Sequence, residues 1–312
     1  MKNKALKRLI YSLWVLLVLL SFFPFKSYSS VVSDNVNLQK DTVINSTGFK
    51  IKTIIIDPGH GHATQPSSSG NHYSPGASGS YSLERNVTLA IGLKLQAAVE
   101  KELTGVKAVM TRTTEDDVSL ERRAEIANEN KGQLFISLHC NSLSDRTVRE
   151  KIGTKRHKAV YRTVRVADRS GKGVLILVYG LHRTHEEENA IQKNQVGEDN
   201  ELDGGALDPN DPMTIILTNE YKRKFRQQSI KIATLINGEF IDTDGRRSEG
   251  IREQGVYVLC HSSMPSVLVE TGYINNPDDE KYLNSEDGQN EIVASIVRAI
   301  TSYKKEMEQV SQ

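Results

Sequence analysis

Thr53-Ile54-Ile55-Ile56-Asp57-Pro58-Gly59-His60-Gly61 is the stretch that decides how this chain reads. Three consecutive isoleucines fit a strand buried on both faces, as in a parallel sheet. Asp-Pro-Gly stops that strand, and His60 is delivered at its C-terminal end, where open α/β sheets place their ligands. A second apolar strand, Leu134-Phe135-Ile136-Ser137-Leu138, ends in His139-Cys140-Asn141, and a third, Pro265-Ser266-Val267-Leu268-Val269, ends in Glu270. Between the first two, Glu84 opens a helical stretch. Two histidines and a glutamate at element ends suit a catalytic zinc, and the second glutamate suits a base.

Working outward, the spacing predicts a helix from Glu84 to Leu103, a strand at Val106–Thr111 and a helix from Ser119, as N-cap, to Asn130. Helical spacing returns over 219–240 and Glu291–Met307. Val256–Leu259 reads as a further strand, as does Gly173–Tyr179. Strands alternating with helices give an α/β fold: one domain, a mostly parallel twisted sheet flanked by helices. Residues 61–82, rich in Gly, Ser, Pro and Asn, read as a loop over the site. The charged stretch 143–211 reads as a large insertion. His182 and His185 follow a strand directly and read as loop polar groups.

The N-terminus has another character. Lys2, Lys4, Lys7 and Arg8 precede the apolar run Leu9–Phe23, Pro24 ends it, and Ser27, Ser29 and Ser30 follow. That order predicts a secretory signal over 1–29, cleaved near Ser29 or Ser30, with an uncleaved signal anchor as the alternative, 30–49 as a linker and 50–308 as the catalytic domain. The location follows: exported, periplasmic in a cell with an outer membrane and otherwise in the wall or outside the cell. Removing 1–29 takes away five cations and no acid, leaving 35 basic against 39 acidic residues. A net charge of −4 argues against nucleic acid as the partner. Two cysteines, Cys140 and Cys260, make no disulfide framework; two buried free thiols are the expectation, with a single bridge in an oxidising compartment as the alternative.

At these residues the chain resembles the zinc-dependent N-acetylmuramoyl-L-alanine amidases of the amidase_3 type. The matching segments are Asp57–Gly61, Gly76-Ala77-Ser78-Gly79 followed by Glu84, Met110-Thr111-Arg112, Arg123 through Asn128, Ser137–Asn141, and Pro265 through Asn276. The resemblance spans roughly residues 50–305 and implies zinc held by His60, Glu84 and His139, with Glu270 as the catalytic glutamate. It implies hydrolysis of the amide between N-acetylmuramic acid and L-alanine of peptidoglycan. Arg112, Arg123 and Asn141 are candidates to contact substrate, with structural ion pairs the plainer role for the arginines. In family members with a large insertion, a helix carrying a Glu-Asn pair can cover the zinc. Glu186-Glu187-Glu188-Asn189-Ala190-Ile191 resembles it, which would make Glu188 an inhibitory ligand and 143–211 the docking site of a protein activator.

Two other readings compete. A zinc carboxypeptidase-like peptidase shares a similar scaffold, and fold does not settle function; it needs an arginine pocket for a chain terminus. A non-catalytic wall-binding protein would have lost a ligand or Glu270, and this sequence has lost neither.

Overall fold

The isoleucine run forms β1, Thr53–Pro58, with Ile54, Ile55 and Ile56 fully buried. The computed structural model describes residues 50–62, 75–180, 184–196 and 208–309. All fall in one compact unit, Ser46–Gln312. The expected signal segment and linker lie outside the described residues, as does His182. Among the described residues no helix is long and apolar enough to cross a membrane.

After β1 come α1 (Glu84–Glu102), β2 (Lys107–Met110), α2 (Leu120–Glu129) and β3 (Leu134–Asn141). Then follow β4 (Arg146–Lys155), β5 (Lys158–Val166), β6 (Val174–Tyr179), α3 (Thr184–Ile191) and α4 (Pro212–Gly238). The chain closes with β7 (Ser248–Gln254), α5 (Tyr257–His261), β8 (Ser266–Tyr273), α6 (Pro277–Leu283) and α7 (Glu286–Gln309). Six strands form one sheet in the order β2-β1-β3-β8-β6-β7. All neighbours run parallel except β8 and β6. The three apolar strands of the sequence, β1, β3 and β8, lie side by side in parallel. Their C-terminal ends therefore share one edge, which is why His60, His139 and Glu270 meet.

Strand side chains alternate between faces, and the core follows. Ile54, Ile56, Ile136 and Val269 pack under α1, α4 and α7 on one face. Ile55, Phe135 and Leu268 pack with Ala127 of α2 and with Val258, Leu259 and Cys260 of α5 on the other. Both faces are covered, as an apolar parallel strand requires.

Three expectations are corrected. Val256–Leu259 is not a strand: Tyr257–His261 is a short helix, with Cys260 inside it. A four-residue apolar run fits either state, and here the run covers one sheet face rather than joining the ladder. Residues 143–211 are not one insertion, because β6 is an inner strand of the sheet, pairing β8 and β7. The same stretch contains the hairpin β4–β5, which the sequence reading left out. His185 sits on α3 rather than in a loop, bonded through Nδ1 to Glu188 at 3.3 Å. Cys140 and Cys260 are both buried and free.

Candidate active site

The turn after β1 exposes three successive backbone carbonyls, of Pro58, Gly59 and His60, and two buried arginines satisfy them. Arg112 donates from Nε to the Pro58 carbonyl and from Nη2 to that of Gly59, both at 2.9 Å. Arg123 donates from Nη1 to the Pro58 carbonyl at 2.6 Å and from Nη2 to that of His60 at 2.7 Å. Arg123 also pairs with Asp57 at 2.7 Å, both groups being almost wholly buried. Asp57 accepts further bonds from Thr111 and Ser137. Burial alone would raise the Asp57 carboxyl; the Arg123 charge and the two hydroxyls outweigh it and hold it below the usual range. Burial and the neighbouring Arg123 push Arg112 down to about 10.

Each arginine thus fixes the turn that carries His60. That turn needs fixing, since His60 has φ 61, a left-handed conformation uncommon for a side chain with a Cβ. Arg123→Ala is expected to cost about 3–5 kcal/mol at neutral pH, the usual penalty for orphaning a buried charge. Because Asp57 titrates below its unfolded value, this contribution is full above about pH 4 and is lost as the pH falls further. Urea unfolding should show a gap between parent and variant at pH 7 that narrows in acid. Equal stability at pH 7 would mean the pair does not hold the turn.

Glu84 is the first residue of α1 and is buried. Its Oε1 lies 3.2 Å from His60 Nε2 and 3.0 Å from His139 Nδ1, and accepts from the Cys140 backbone N–H at 3.0 Å. Its Oε2 accepts from the Ala77 N–H at 2.6 Å. Gly76, at φ 77, passes so close that a Cβ there would stand 2.8 Å from Glu84 Oε2. This is why the Gly-Ala-Ser-Gly segment precedes Glu84. Gly59 is similarly tight: a Cβ would stand 2.3 Å from the His139 ring. Burial would raise the Glu84 carboxyl, but hydrogen bonds and charge from His139 and His60 hold it well below the usual range. Burial pushes the His139 imidazole down, and Glu84 more than reverses this.

His60, Glu84 and His139 form the one group of metal-ligating side chains found among the described residues, their ligand atoms all within 4.8 Å of one another. Two imidazoles and a carboxylate match the donor set of catalytic zinc. Glu270 stands beside them, its Cα paired in register with that of His139. The β3–β8 ladder slips by one residue just beyond, between His139 and Asn141, a bulge of the kind that re-aims side chains next to sites. Glu270 Oε2 is buried with no hydrogen-bond partner. Burial, helped by Glu84 and opposed by His139, pushes Glu270 up to about 7. An orphaned carboxylate oxygen beside a His-Glu-His donor set fits a metal with a reacting group between them. A cavity of about 240 Å³ opens next to both histidines, with Val118, Leu120, Val256 and Tyr257 on its apolar side.

Glu188 is not brought to this group. Its Oε1 is bonded to Lys222 of α4 at 2.5 Å, and the lysine charge lowers its pKa. The expected plug gives way to a contact between α3 and α4. Asn141 lies at the end of β3, its side chain capping the Ser142 N–H at 2.8 Å. Sequence reasoning missed Glu280 of α6, whose carboxylate accepts from the N–H groups of Ser80, Tyr81 and Ser82 and so clamps the loop leading into Glu84. No local pattern signals a contact between residues about 200 positions apart.

A family model described as N-acetylmuramoyl-L-alanine amidase matches residues 54–302. The probable cell wall amidase LytH of Staphylococcus epidermidis is 26% identical over 269 residues, 86% of this chain and 64% of the relative. The chain thus spans less than two thirds of that relative's length. N-acetylmuramoyl-L-alanine amidase AmiA of Salmonella typhimurium is 26% identical over 257 residues, 82% of this chain and 77% of AmiA. The fold is shared with the solved amidase Ami1 of Mycobacterium smegmatis at a TM-score of 0.54, with 16% identity, covering 83% of this chain and 100% of that one.

Proposed function

The chain belongs to the N-acetylmuramoyl-L-alanine amidase family, and on that premise we propose that it is an exported zinc hydrolase. It cleaves the amide between N-acetylmuramic acid and the L-alanine of the peptidoglycan stem. The observation that carries this reading is the convergence of His60, Glu84 and His139 beside a buried Glu270 whose Oε2 has no partner.

His60, Glu84 and His139 would hold the metal. Zinc supplies Lewis-acid polarisation of the amide carbonyl and an activated water at neutral pH. The residues around it do the rest. Arg112 and Arg123 keep the His60 turn rigid, and the Ala77 and Cys140 N–H groups fix the two oxygens of Glu84. Such outer partners orient ligands. Glu270 takes the proton from the attacking water at Oε2 as the new C–O bond forms. It then gives that proton to the nitrogen of L-alanine as the C–N bond breaks. A carboxyl pushed up to about 7 can do both at neutral pH. The apolar side of the cavity suits the lactyl and alanine methyl groups.

The carboxypeptidase alternative is weaker, because Arg112 and Arg123 are buried and fully used and neither can bind a chain terminus. The non-catalytic alternative lacks a lost residue to support it. The reading is tested with a muramoyl-peptide substrate and a chelator. Hydrolysis should stop on removal of metal and return with zinc; hydrolysis that survives complete demetallation would exclude it.

A further inference from the structure

The β4–β5 hairpin stands apart from both cores. Its strands pair with each other and with no strand of the main sheet, and nearly every residue on both is exposed. A lone two-stranded hairpin is marginal in water and wants a third strand or a packed face. Its composition also breaks with the rest. Residues 146–166 carry eight Lys or Arg and one acid, against 32 and 38 in the remainder of the chain. The acid, Glu150, pairs with Arg162 at 3.0 Å.

Register sorts these charges. Arg165 lies opposite Thr147, Thr163 opposite Arg149 and Tyr161 opposite Lys151, so Arg149, Lys151 and Arg165 share one face. Arg149 lies over the Tyr161 ring at 5.0 Å. At the tip Lys155 lies opposite Lys158, with Arg156 and His157 between them at φ 50 and 64. Two left-handed residues make the hairpin turn that usually takes Asn-Gly. Arg and His stand there against local preference. Among the described residues none of Arg149, Lys151, Lys155, Arg156, Lys158 and Arg165 pairs with a carboxylate. The same distal half exposes three large apolar side chains, Ile152 at 56%, Val160 at 38% and Tyr161 at 49%; Val160 shares its face with Lys155 and Lys158, and Tyr161 stands on the other with Arg149 and Lys151.

We propose that this hairpin docks the domain on an anionic phospholipid bilayer. Its distal half lies within the headgroup layer, where the cations of both faces meet phosphates and Ile152, Val160 and Tyr161 reach the boundary between headgroups and acyl chains. Charge alone would suit any polyanion. The apolar side chains decide for a bilayer: a hydrated phosphate chain offers them nothing, whereas the interface takes aromatic and aliphatic groups next to snorkelling cations. The root is tied to the catalytic edge. Asn275, just past β8, donates to the carbonyls of Leu143 and Asp168 at either end of the hairpin, both at 2.9 Å. Strands of this length reach roughly 30 Å, so docking would hold the site at a set height above the bilayer.

The test is flotation of the full chain with vesicles of phosphatidylcholine alone or mixed with phosphatidylglycerol. The parent should prefer the anionic vesicles and release them as salt rises. Lys155→Ser/Arg156→Ser/Lys158→Ser should lower that binding about a hundredfold, roughly fivefold per charge. Ile152→Ser/Tyr161→Ser should lower it about tenfold while leaving retention on immobilised polyphosphate unchanged. Far-UV circular dichroism matching the parent shows that each variant is folded, and the apolar N-terminal run is common to all. Equal flotation of the parent with both vesicle types would overturn the proposal, as would an unaltered triple variant. So would an Ile152/Tyr161 variant that keeps its vesicle binding, which would make the arm a surface for soluble polyanions.

Discussion

Glu270→Gln is expected to lower turnover on muramoyl-peptide by about 10²–10⁴-fold, the usual contribution of a positioned acid–base group, with zinc content unchanged. The amide of glutamine matches the carboxylate in size but can neither take nor deliver the proton. Glu270 lies in β8 with its Cα in register with that of His139, yet outside the group His60, Glu84 and His139. The substitution thus removes proton transfer and leaves the ligand set whole. Little stability should be lost, because Oε2 has no protein partner to lose. Metal analysis and steady-state kinetics on the same preparation check this. Turnover like the parent's would take Glu270 out of the mechanism.

His139→Ala is expected to lose the metal and the activity together. In the proposed zinc site the ring would supply one of three donors, and Glu84 bonds it through Nδ1 at 3.0 Å, so the change would leave an incomplete set and a carboxylate short of one partner. Catalytic zinc sites hold the ion with three protein groups; two leave it exchangeable. Native mass spectrometry should find the zinc adduct in the parent and in Glu270→Gln but not in His139→Ala. A zinc-loaded, active His139→Ala protein would remove this histidine from the ligand set. The contrast between the two variants separates the proton's path from the metal's seat.

Much of the site was legible because each of its residues follows a strong local signal. An isoleucine run broken by Asp-Pro-Gly points to His60, and the apolar runs of β3 and β8 lead into His139 and Glu270, although both strands continue past these residues, to Asn141 and Tyr273. A strand buried on both faces leaves an unbroken apolar run, so β1, β3 and β8 were visible too. The supporting parts were not. The Arg123–Asp57 pair and the Glu280 clamp join residues 66 and about 200 positions apart, and such contacts leave no period in the sequence. The β4–β5 hairpin carries no clear signal because Arg, Lys and Thr interrupt its scattered valines in a stretch dense with charge. Val256–Leu259 was misread because four apolar residues are too few to tell a helical turn from a strand. Glu188 was assigned from a short resemblance, and Lys222, which holds it, is 34 residues away.

The most direct test of the amidase reading is mass spectrometry of purified peptidoglycan digested by the zinc-loaded protein. The predicted products are stem peptides carrying a free N-terminal L-alanine, and glycan strands whose muramic acid keeps a free lactyl carboxylate. Peptides shortened from their C-terminal end, with the muramoyl–alanine amide intact, would contradict it.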